Sequence, residues 1–142
     1  MPLHRLLYTS QSALSESKGP ISAQVEAIAR ASCERNALAG ITGVLLFVDG
    51  QFIQVLEGEL QPIEKTFERI CCSFDHEDVK LIDLIPVKQR MFGEWNMTLL
   101  SSERETSVEL LSEFENIRFM TGVNAAAAVD QLRDCLKAAV PA

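Results

Sequence analysis

Three polar side chains of different chemistry occupy positions where the surrounding sequence is apolar. Gln54 lies in the middle of the apolar run 52–56, Tyr8 follows two leucines, and Asn36 falls on the apolar face of a predicted helix. A primary amide in a dry core costs a few kcal/mol unless its donors and its acceptor find partners. We therefore expect these groups to satisfy one another or to contact a bound ligand.

The chemistry available to this set is that of a switch. A phenol such as Tyr8 can supply one electron and one proton, and a low-dielectric setting strengthens each of its hydrogen bonds. The carboxamide of Gln54 presents an acceptor and a donor on opposite sides, so rotation or tautomerisation exchanges what its neighbours contact. Together they predict a two-position switch that changes no net charge.

The elements that position these groups follow the order βαββαββ. Asp49-Gly50 between two β-rich runs is a strong hairpin signal, and Pro62 suits the first turn of a helix. Apolar residues spaced by three and four after Ile21 indicate the first helix. The predicted strands are 3–9, 41–48, 51–57, 79–85 (stopped by Pro86) and 95–99, and 10–20 is a predicted loop.

This order predicts an α+β sandwich of the ferredoxin-like type, with two helices on one sheet face. Its first strand and the strand that closes the hairpin are central, so we expect Tyr8 and Gln54 to be neighbours. A slot for a flat ring is expected between the helices, with Ile28 and Ile70 as its walls. The helical stripe predicted with Ile70 also includes Ile63, Phe67, Cys71 and Phe74.

Two amphipathic helices, 103–115 and 124–140, are expected to cap the other face of the sheet. Their predicted apolar stripes are Val108, Leu111 and Phe114 in the first and Val129, Leu132 and Leu136 in the second. We expect residues 1–100 to form a sensor domain and residues 101–142 a helical cap that carries the output.

Composition narrows the class of protein. The chain has 142 residues and a formal net charge of -7, which opposes binding to nucleic acid and to anionic membranes. No run approaches the ~20 apolar residues of a membrane helix, and no signal-peptide pattern opens the chain, so a cytoplasmic location is expected.

Cysteines and histidines do not suggest a metal site. The four cysteines show no C-x-x-C spacing, and His4 and His76 are the only histidines. We expect the cysteines to be small buried thiols, and Cys71 in particular to pack in the core beside Cys72.

Four short strings resemble, in order and spacing, the motifs of BLUF domains, which are blue-light sensors that use flavin. They are Leu6-Leu-Tyr8, Arg35-Asn36 with Gly40-Ile-Thr-Gly43, Phe52-Ile-Gln-Val-Leu-Glu-Gly58 and Trp95-Asn-Met97. The resemblance covers roughly residues 3 to 100. It implies a flavin cofactor, expected to be FAD, with FMN or riboflavin as alternatives.

The resemblance also implies a role for each matching residue. Tyr8 matches the tyrosine that donates an electron and a proton, and Gln54 matches the glutamine that rearranges during the photocycle. Asn36 would hold the carbonyl edge of the ring between Ile28 and Ile70. Trp95 and Met97 would carry the signal to the C-terminal helices, and which of them lies nearer Gln54 is left open.

Several positions depart from the family pattern. Ser73 and Asp75 stand where relatives commonly carry an aspartate and an arginine near the ribityl and phosphate part of the cofactor, whereas His76 keeps its place. Exchanging a cation for a carboxylate near a phosphate weakens binding by about 1 kcal/mol if solvent screens it. Arg35 replaces a small polar residue beside the asparagine. Cations that could compensate are Lys65, Arg69 and Lys80.

We therefore expect a short blue-light photoreceptor rather than an enzyme, with no catalytic output domain, that signals to an unidentified downstream protein and forms homo-oligomers. Two alternatives remain at this point. One is a flavin-free interaction module, motivated by Ser73 and Asp75. The other is an acylphosphatase-like hydrolase that uses Arg35 and Asn36 to bind phosphate. No Gly-rich anion-binding loop accompanies this pair in the sequence, which argues against that alternative.

Overall fold

The chain forms a mixed five-stranded sheet with a pair of helices on each face, in a computed structural model that describes residues 2–103 and 107–139. The strands are β1 Leu3–Ser12, β2 Thr42–Val48, β3 Gln51–Glu59, β4 His76–Val87 and β5 Asn96–Ser101. The helices are α1 Ile21–Leu38, α2 Leu60–Cys71, α3 Val108–Met120 and α4 Ala125–Ala139, with a 3-10 turn at Glu16–Lys18. The predicted α+β class and the βαββαββ order are confirmed.

The hairpin turn sets the register of the central strands. Asp49 and Gly50 both have positive φ, 46° and 78°, which matches the twist that two-residue hairpins require. The sheet order is β4-β1-β3-β2-β5, in which β5 runs parallel to β2 and every other pairing is antiparallel. As predicted, β1 and β3 are adjacent in the interior of the sheet.

Helices α1 and α2 cover one face of the sheet and enclose the first core. Its side chains alternate along β1 and β3 and meet apolar residues of both helices. Members of this core include Leu6, Tyr8, Val25, Ala29, Phe52, Leu56 and Ile63.

Helices α3 and α4 cover the opposite face, as the sequence predicted. Phe114, Leu132 and Leu136 are fully buried against the sheet residues Leu7 and Ile53. The predicted start at 103 is wrong, because Ser107 caps the helix by accepting from the backbone N–H of Leu110. Residues 104–106 and 140 of the two predicted helices lie outside the described residues.

Burial was predicted wrongly for four residues near helix ends, where the chain extends beyond the core. Val108 is the first residue of α3 and is 79% exposed, so it is not part of an apolar stripe. Cys71 and Cys72 are exposed at the end of α2, beyond the sheet that covers the preceding turns, and Phe74 follows the helix at 97% exposure. The cysteine prediction holds for Cys135, which is buried.

Strands β1 and β4 are longer than the sequence predicted. β1 continues to Ser12, because its last residues pair with β3 and β4. β4 includes Pro86, although we predicted that this proline would end the strand. An edge strand tolerates proline, because the outward-facing backbone needs no N–H donor there.

Within the part of the chain that the structure describes, the helices are too short or too polar to cross a bilayer.

Candidate functional site

The site begins with a cross-strand pair in the middle of the sheet. Tyr8 on β1 lies directly opposite Gln54 on β3, and the phenol donates a hydrogen bond to Oε1 of the amide. Both side chains are at most 2% exposed. Because they face the layer of α1 and α2, the amide is presented between these helices. Their predicted proximity is therefore observed.

The other end of the Gln54 amide contacts β5. Its Nε2 donates to Sδ of Met97 at 2.9 Å, and Met97 is also buried. The structure thus places Met97, and not Trp95, against the amide. The phenol, the amide and the thioether form one buried chain of hydrogen bonds across three strands.

A bulge in β5 aims Met97 at this position. The β2–β5 pairing passes from Gly43 opposite Asn96 to Val44 opposite Thr98, which leaves Met97 without a partner residue. Met97 adopts φ of 60°, a left-handed conformation that is unfavourable for a bulky side chain. A side chain on Gly43 would clash with the carbonyl oxygen of Val55 and would crowd Cε of Met97.

Trp95 lies on the other side of the sheet. Its half-buried ring packs against the core beneath α3 and α4 and stands 6.2 Å from the ring of Phe92. The Trp95 carbonyl accepts a hydrogen bond from the backbone N–H of Gly43 at 3.0 Å. Trp95 and Met97 therefore belong to opposite layers while sharing one strand end.

Aromatic rings surround the phenol and keep water away from it. The Tyr8 ring lies 5.7 Å from Phe67 and 6.2 Å from His76. Burial raises the pKa of Tyr8 far above its usual range, with a smaller contribution from the charge of a Cys71 thiolate. The phenol consequently holds its proton on Oη in the resting protein.

His76 forms the end of the site nearest the start of β4. Its Nδ1 is 2.7 Å from the hydroxyl of Ser10, and the centroid of its ring lies 4.5 Å from that of Phe52, with the two rings tilted by 45°. Burial lowers the pKa of His76, and the carboxylate of Asp75 partly opposes that shift.

A cavity of about 550 Å³ opens above the amide between α1 and α2. This volume lies within the range of roughly 300–1,000 Å³ that is typical of ligand pockets. Ile28 and Ile70 line it from the two helices, as the sequence predicted. All the residues expected to contact a cofactor line this cavity: Tyr8, Ile28, Arg35, Asn36, Gln54, Ile70, Ser73, Asp75 and His76.

Asn36 lines the cavity and has a hydrogen-bond donor, the amide Nδ2, that is not satisfied. The side chain is 2% exposed, and its Nδ2 has no hydrogen-bond partner among the described residues. A buried amide donor without a partner is costly, which favours a ligand that presents an acceptor here. The carbonyl edge of a flat heterocycle would satisfy it.

Sequence reasoning missed several lining residues. Ala31 and Ser32 lie one turn from Ile28, and Thr66 lies one turn before Ile70, so the helical spacing of three and four was the available signal. Leu45 was identifiable as the cross-strand neighbour of Gln54. Because Ala31 and Ser32 are small, α1 leaves room for a ligand between the two helices.

The charged residues at the cavity include those expected, but only one of the three cations that could compensate near the phosphate is among them. Arg35 and Arg69 line it, whereas Lys80 does not, and Lys65 lines a neighbouring groove. Asp75 is the acidic residue among the lining side chains.

Glu57 supports the site from the opposite layer. Its carboxylate is fully buried and accepts hydrogen bonds from Nε of Arg5 at 2.7 Å and from the backbone N–H groups of Met91 and Phe92 at 3.0 and 2.7 Å. Arg90 adds bonds from the same connection to the carbonyls of Glu57 and Gly40. The β4–β5 connection is thereby held to β3 at Phe92, five residues before Met97.

Comparison with known proteins decides the family. Residues 3–98 match the family model described as BLUF, sensors of blue-light using FAD. The chain belongs to the BLUF family. Its flavin-binding sensor fold is shared with the dark-state structure of BlrB, a BLUF protein, at a TM-score of 0.78 and 27% identity over 98% of each chain. BlsA in its photo-activated state matches with a TM-score of 0.77 at 25% identity, covering 92% of this chain and 94% of that one.

A curated relative is much longer than this chain. The photoactivated adenylate cyclase subunit beta of Euglena gracilis is 34% identical over 97 residues, which are 67% of this chain and 11% of the relative. The chain thus spans about a tenth of that relative and matches its sensor module, which is not itself catalytic.

Proposed function

We propose that this BLUF chain senses blue light through the buried chain formed by Tyr8, Gln54 and Met97. The observation that carries the proposal is the pair of unlike bonds made by one neutral amide, Oε1 accepting from the phenol and Nε2 donating to the thioether. The amide lies at the floor of a cavity that the unsatisfied Nδ2 of Asn36 also faces.

The lining residues fit a flavin. Two isoleucines offer apolar surfaces to the faces of a ring, and Asn36 offers a donor to a carbonyl at its edge. When bound, a flavin supplies the absorption of blue light and, once excited, an acceptor for one electron and one proton. FAD is the proposed form. FMN and riboflavin remain alternatives, because the ring contacts do not distinguish them.

The Gln54 amide then has two orientations, which differ in the hydrogen bonds that they make with Tyr8 and Met97. Loss and return of the proton at Tyr8 Oη removes the bond that fixes Oε1 of Gln54 and allows the amide to turn or tautomerise. A turned amide points oxygen at Sδ of Met97, and a thioether has no proton to donate. The bond between Gln54 and Met97 is therefore lost in the switched arrangement.

Met97 converts this local change into movement of β5. Its left-handed backbone stores strain of about 1–3 kcal/mol, which the surrounding contacts hold in place. Release of Met97 would allow the bulge to relax and shift Trp95, which packs under α3 and α4. We propose residues 1–100 as the sensor and residues 101–142 as the segment that receives this change.

The signal would pass to a downstream protein, in a cytoplasmic setting, or to a second copy of the chain. The exposed apolar residues of the edge strand β4, Leu81, Leu84 and Ile85, support self-association. The named cyclase relative supports a nucleotide cyclase as one class of effector for this module.

The test is the absorption spectrum of protein purified in the dark and then exposed to blue light. We expect a yellow protein whose flavin band moves to the red on illumination and returns in the dark. Tyr8→Phe should bind flavin and lose the shift, because a phenyl ring has no proton to move.

The outcomes separate the alternatives. Colourless protein that takes up no added flavin would favour the flavin-free interaction module. A shift that survives Tyr8→Phe would remove Tyr8 from its proposed role while leaving the flavin site in place.

A further inference from the structure

The turn that follows α1, residues 39–43, is built on the backbone of Asn36. The helix ends in a Schellman motif, in which the N–H of Ile41 donates to the carbonyl of Asn36 at 2.8 Å and the N–H of Gly40 donates to that of Ala37 at 3.3 Å. Asn36 thus contributes its side chain to the cavity and its backbone to this turn. A displacement of Asn36 must therefore move the turn or break one of these bonds.

Arg90 joins this turn to the connection between β4 and β5. Its Nη2 donates to the carbonyl of Gly40 at 2.7 Å, and its Nη1 donates to Oγ1 of Thr42 and to the carbonyl of Glu57, both at 2.9 Å. One half-buried guanidinium thus binds two residues of the turn and one residue of β3. Because its donors form a rigid planar fork, a shift of the turn relative to the connection changes all three bonds together.

The same turn also contacts the far end of the β4–β5 connection. The N–H of Gly43 donates to the carbonyl of Trp95 at 3.0 Å, and the N–H of Trp95 donates to the carbonyl of Phe92 at 3.0 Å. The turn therefore holds the connection at two points, through the Arg90 side chain and through the Trp95 backbone. The second point adjoins the ring that packs beneath α3 and α4.

We propose that Arg90 is a positioning residue that couples the ligand contact at Asn36 to the β4–β5 connection. The inference rests on the proposed function, in which a flavin carbonyl accepts a hydrogen bond from Nδ2 of Asn36. Hydrogen-bond networks that have more than one arrangement can carry such coupling between sites. A second route thus runs from the ring through Asn36, residues 39–43 and Arg90 to Trp95, beside the route through Gln54 and Met97.

Amide hydrogen exchange of the full-length protein tests this coupling, measured by mass spectrometry in the dark with and without FAD. In the wild-type protein, FAD should slow the exchange of residues 88–95 by about fivefold or more, which is the lower limit usual for coupled sites. Arg90→Gln should abolish this FAD-dependent protection, because a carboxamide has only two N–H donors and a shorter reach. Peptides that contain Leu132 report on the fold and should keep wild-type protection.

Two further variants separate the geometry of Arg90 from its charge. Lys88→Gln removes the same charge from an exposed position of the same connection and should keep the FAD-dependent protection. Arg90→Lys keeps the charge but lacks the planar fork, so it should lose most of the protection. The reversible red shift should remain in Arg90→Gln, because Arg90 does not line the cavity.

Three results would overturn the inference while leaving the flavin assignment intact. They are exchange at residues 88–95 that does not respond to bound FAD in the wild-type protein, protection that survives in Arg90→Gln, and protection that is lost equally in Lys88→Gln. If Arg90→Gln also speeds exchange around Leu132, the comparison passes to Arg90→Lys, in which full protection would overturn the inference. A wild-type protein that binds no FAD would overturn the proposed function as well.

Discussion

Gln54 is the residue whose two bonds differ most in kind, since one partner donates a proton and the other only accepts one. Gln54→Leu keeps the approximate volume and removes both bonds. We expect the variant to bind flavin and to show no reversible red shift, because leucine has no second hydrogen-bonding arrangement. Difference absorption spectra before and after blue light measure this directly.

A matched control for this substitution is Gln11→Leu. Gln11 is an exposed residue of the neighbouring strand β1 and makes no contact with the cavity. The control should retain the full light-induced shift. If Gln54→Leu also retains it, the amide is not the switch.

Tyr8 is the only tyrosine in the chain, so no other phenol contributes to its ionisation signal. Burial raises the pKa of this phenol, whereas an unfolded tyrosine ionises near pH 10. Above about pH 10 the unfolded chain releases this proton and the folded protein keeps it, so the contribution of Tyr8 to stability falls as pH rises.

We therefore expect no tyrosinate absorption in the folded protein at a pH somewhat above 10, and its full appearance on adding denaturant at the same pH. Tyrosinate that forms at pH 10 while the circular dichroism stays native would contradict the buried, protonated phenol on which proton transfer depends.

Among the elements, the connection between β4 and β5 determines where Trp95 and Met97 lie. Glu57 fixes this connection through two backbone N–H groups and the ion pair with Arg5. Removing one partner of a buried ion pair costs about 3–5 kcal/mol. Glu57→Gln should therefore lower the free energy of unfolding by about 3 kcal/mol or more in urea titrations.

Glu59→Gln is the control, because Glu59 is exposed two residues further along the same strand. Its effect should stay within about 0.5 kcal/mol. Similar small effects of both substitutions would mean that the Glu57 carboxylate does not anchor the connection. The light-induced shift of Glu57→Gln should also be altered in size or lifetime, because Met97 would lose its fixed position.

For the whole molecule, the question is whether the sensor and the C-terminal helices unfold together. Leu132 of α4 is fully buried in the same core as Leu7 and Ile53 of the sheet. Leu132→Ala should lower the stability of the entire chain by about 2–5 kcal/mol in a single transition. Fluorescence of the only tryptophan, Trp95, together with circular dichroism would detect it.

Val108→Ala provides the comparison at an exposed position of α3, with an expected effect within about 0.5 kcal/mol. If Leu132→Ala melts α4 while the tryptophan signal of the sensor keeps its wild-type midpoint, residues 101–142 would be a separate unit and a weak receiver of the signal.

Local pattern was sufficient for the order of the elements and for most of the site. The turn residues Asp49 and Gly50 fix the register of β2 against β3, and the topology places β1 beside β3, so the sequence predicted Tyr8 and Gln54 as neighbours although only the structure shows them directly opposite. Helical spacing likewise places Ile28 and Asn36 on one side of α1. Failures occurred at helix ends, as for Val108 and Cys71, where apolar character continues past the last turn that the sheet covers.

The sequence by itself determined the βαββαββ order, the family resemblance and the identity of the polar set, because these depend on residue type and spacing along the chain. The tertiary structure alone decided that Met97, not Trp95, contacts Gln54, since the register shift between β2 and β5 leaves Met97 facing the amide while Trp95, just before β5, packs in the opposite layer. It also decided that Arg69, rather than Lys80, borders the cavity. Both outcomes depend on how separate strands and helices pack together. The residue pattern of a single strand or helix does not contain that information.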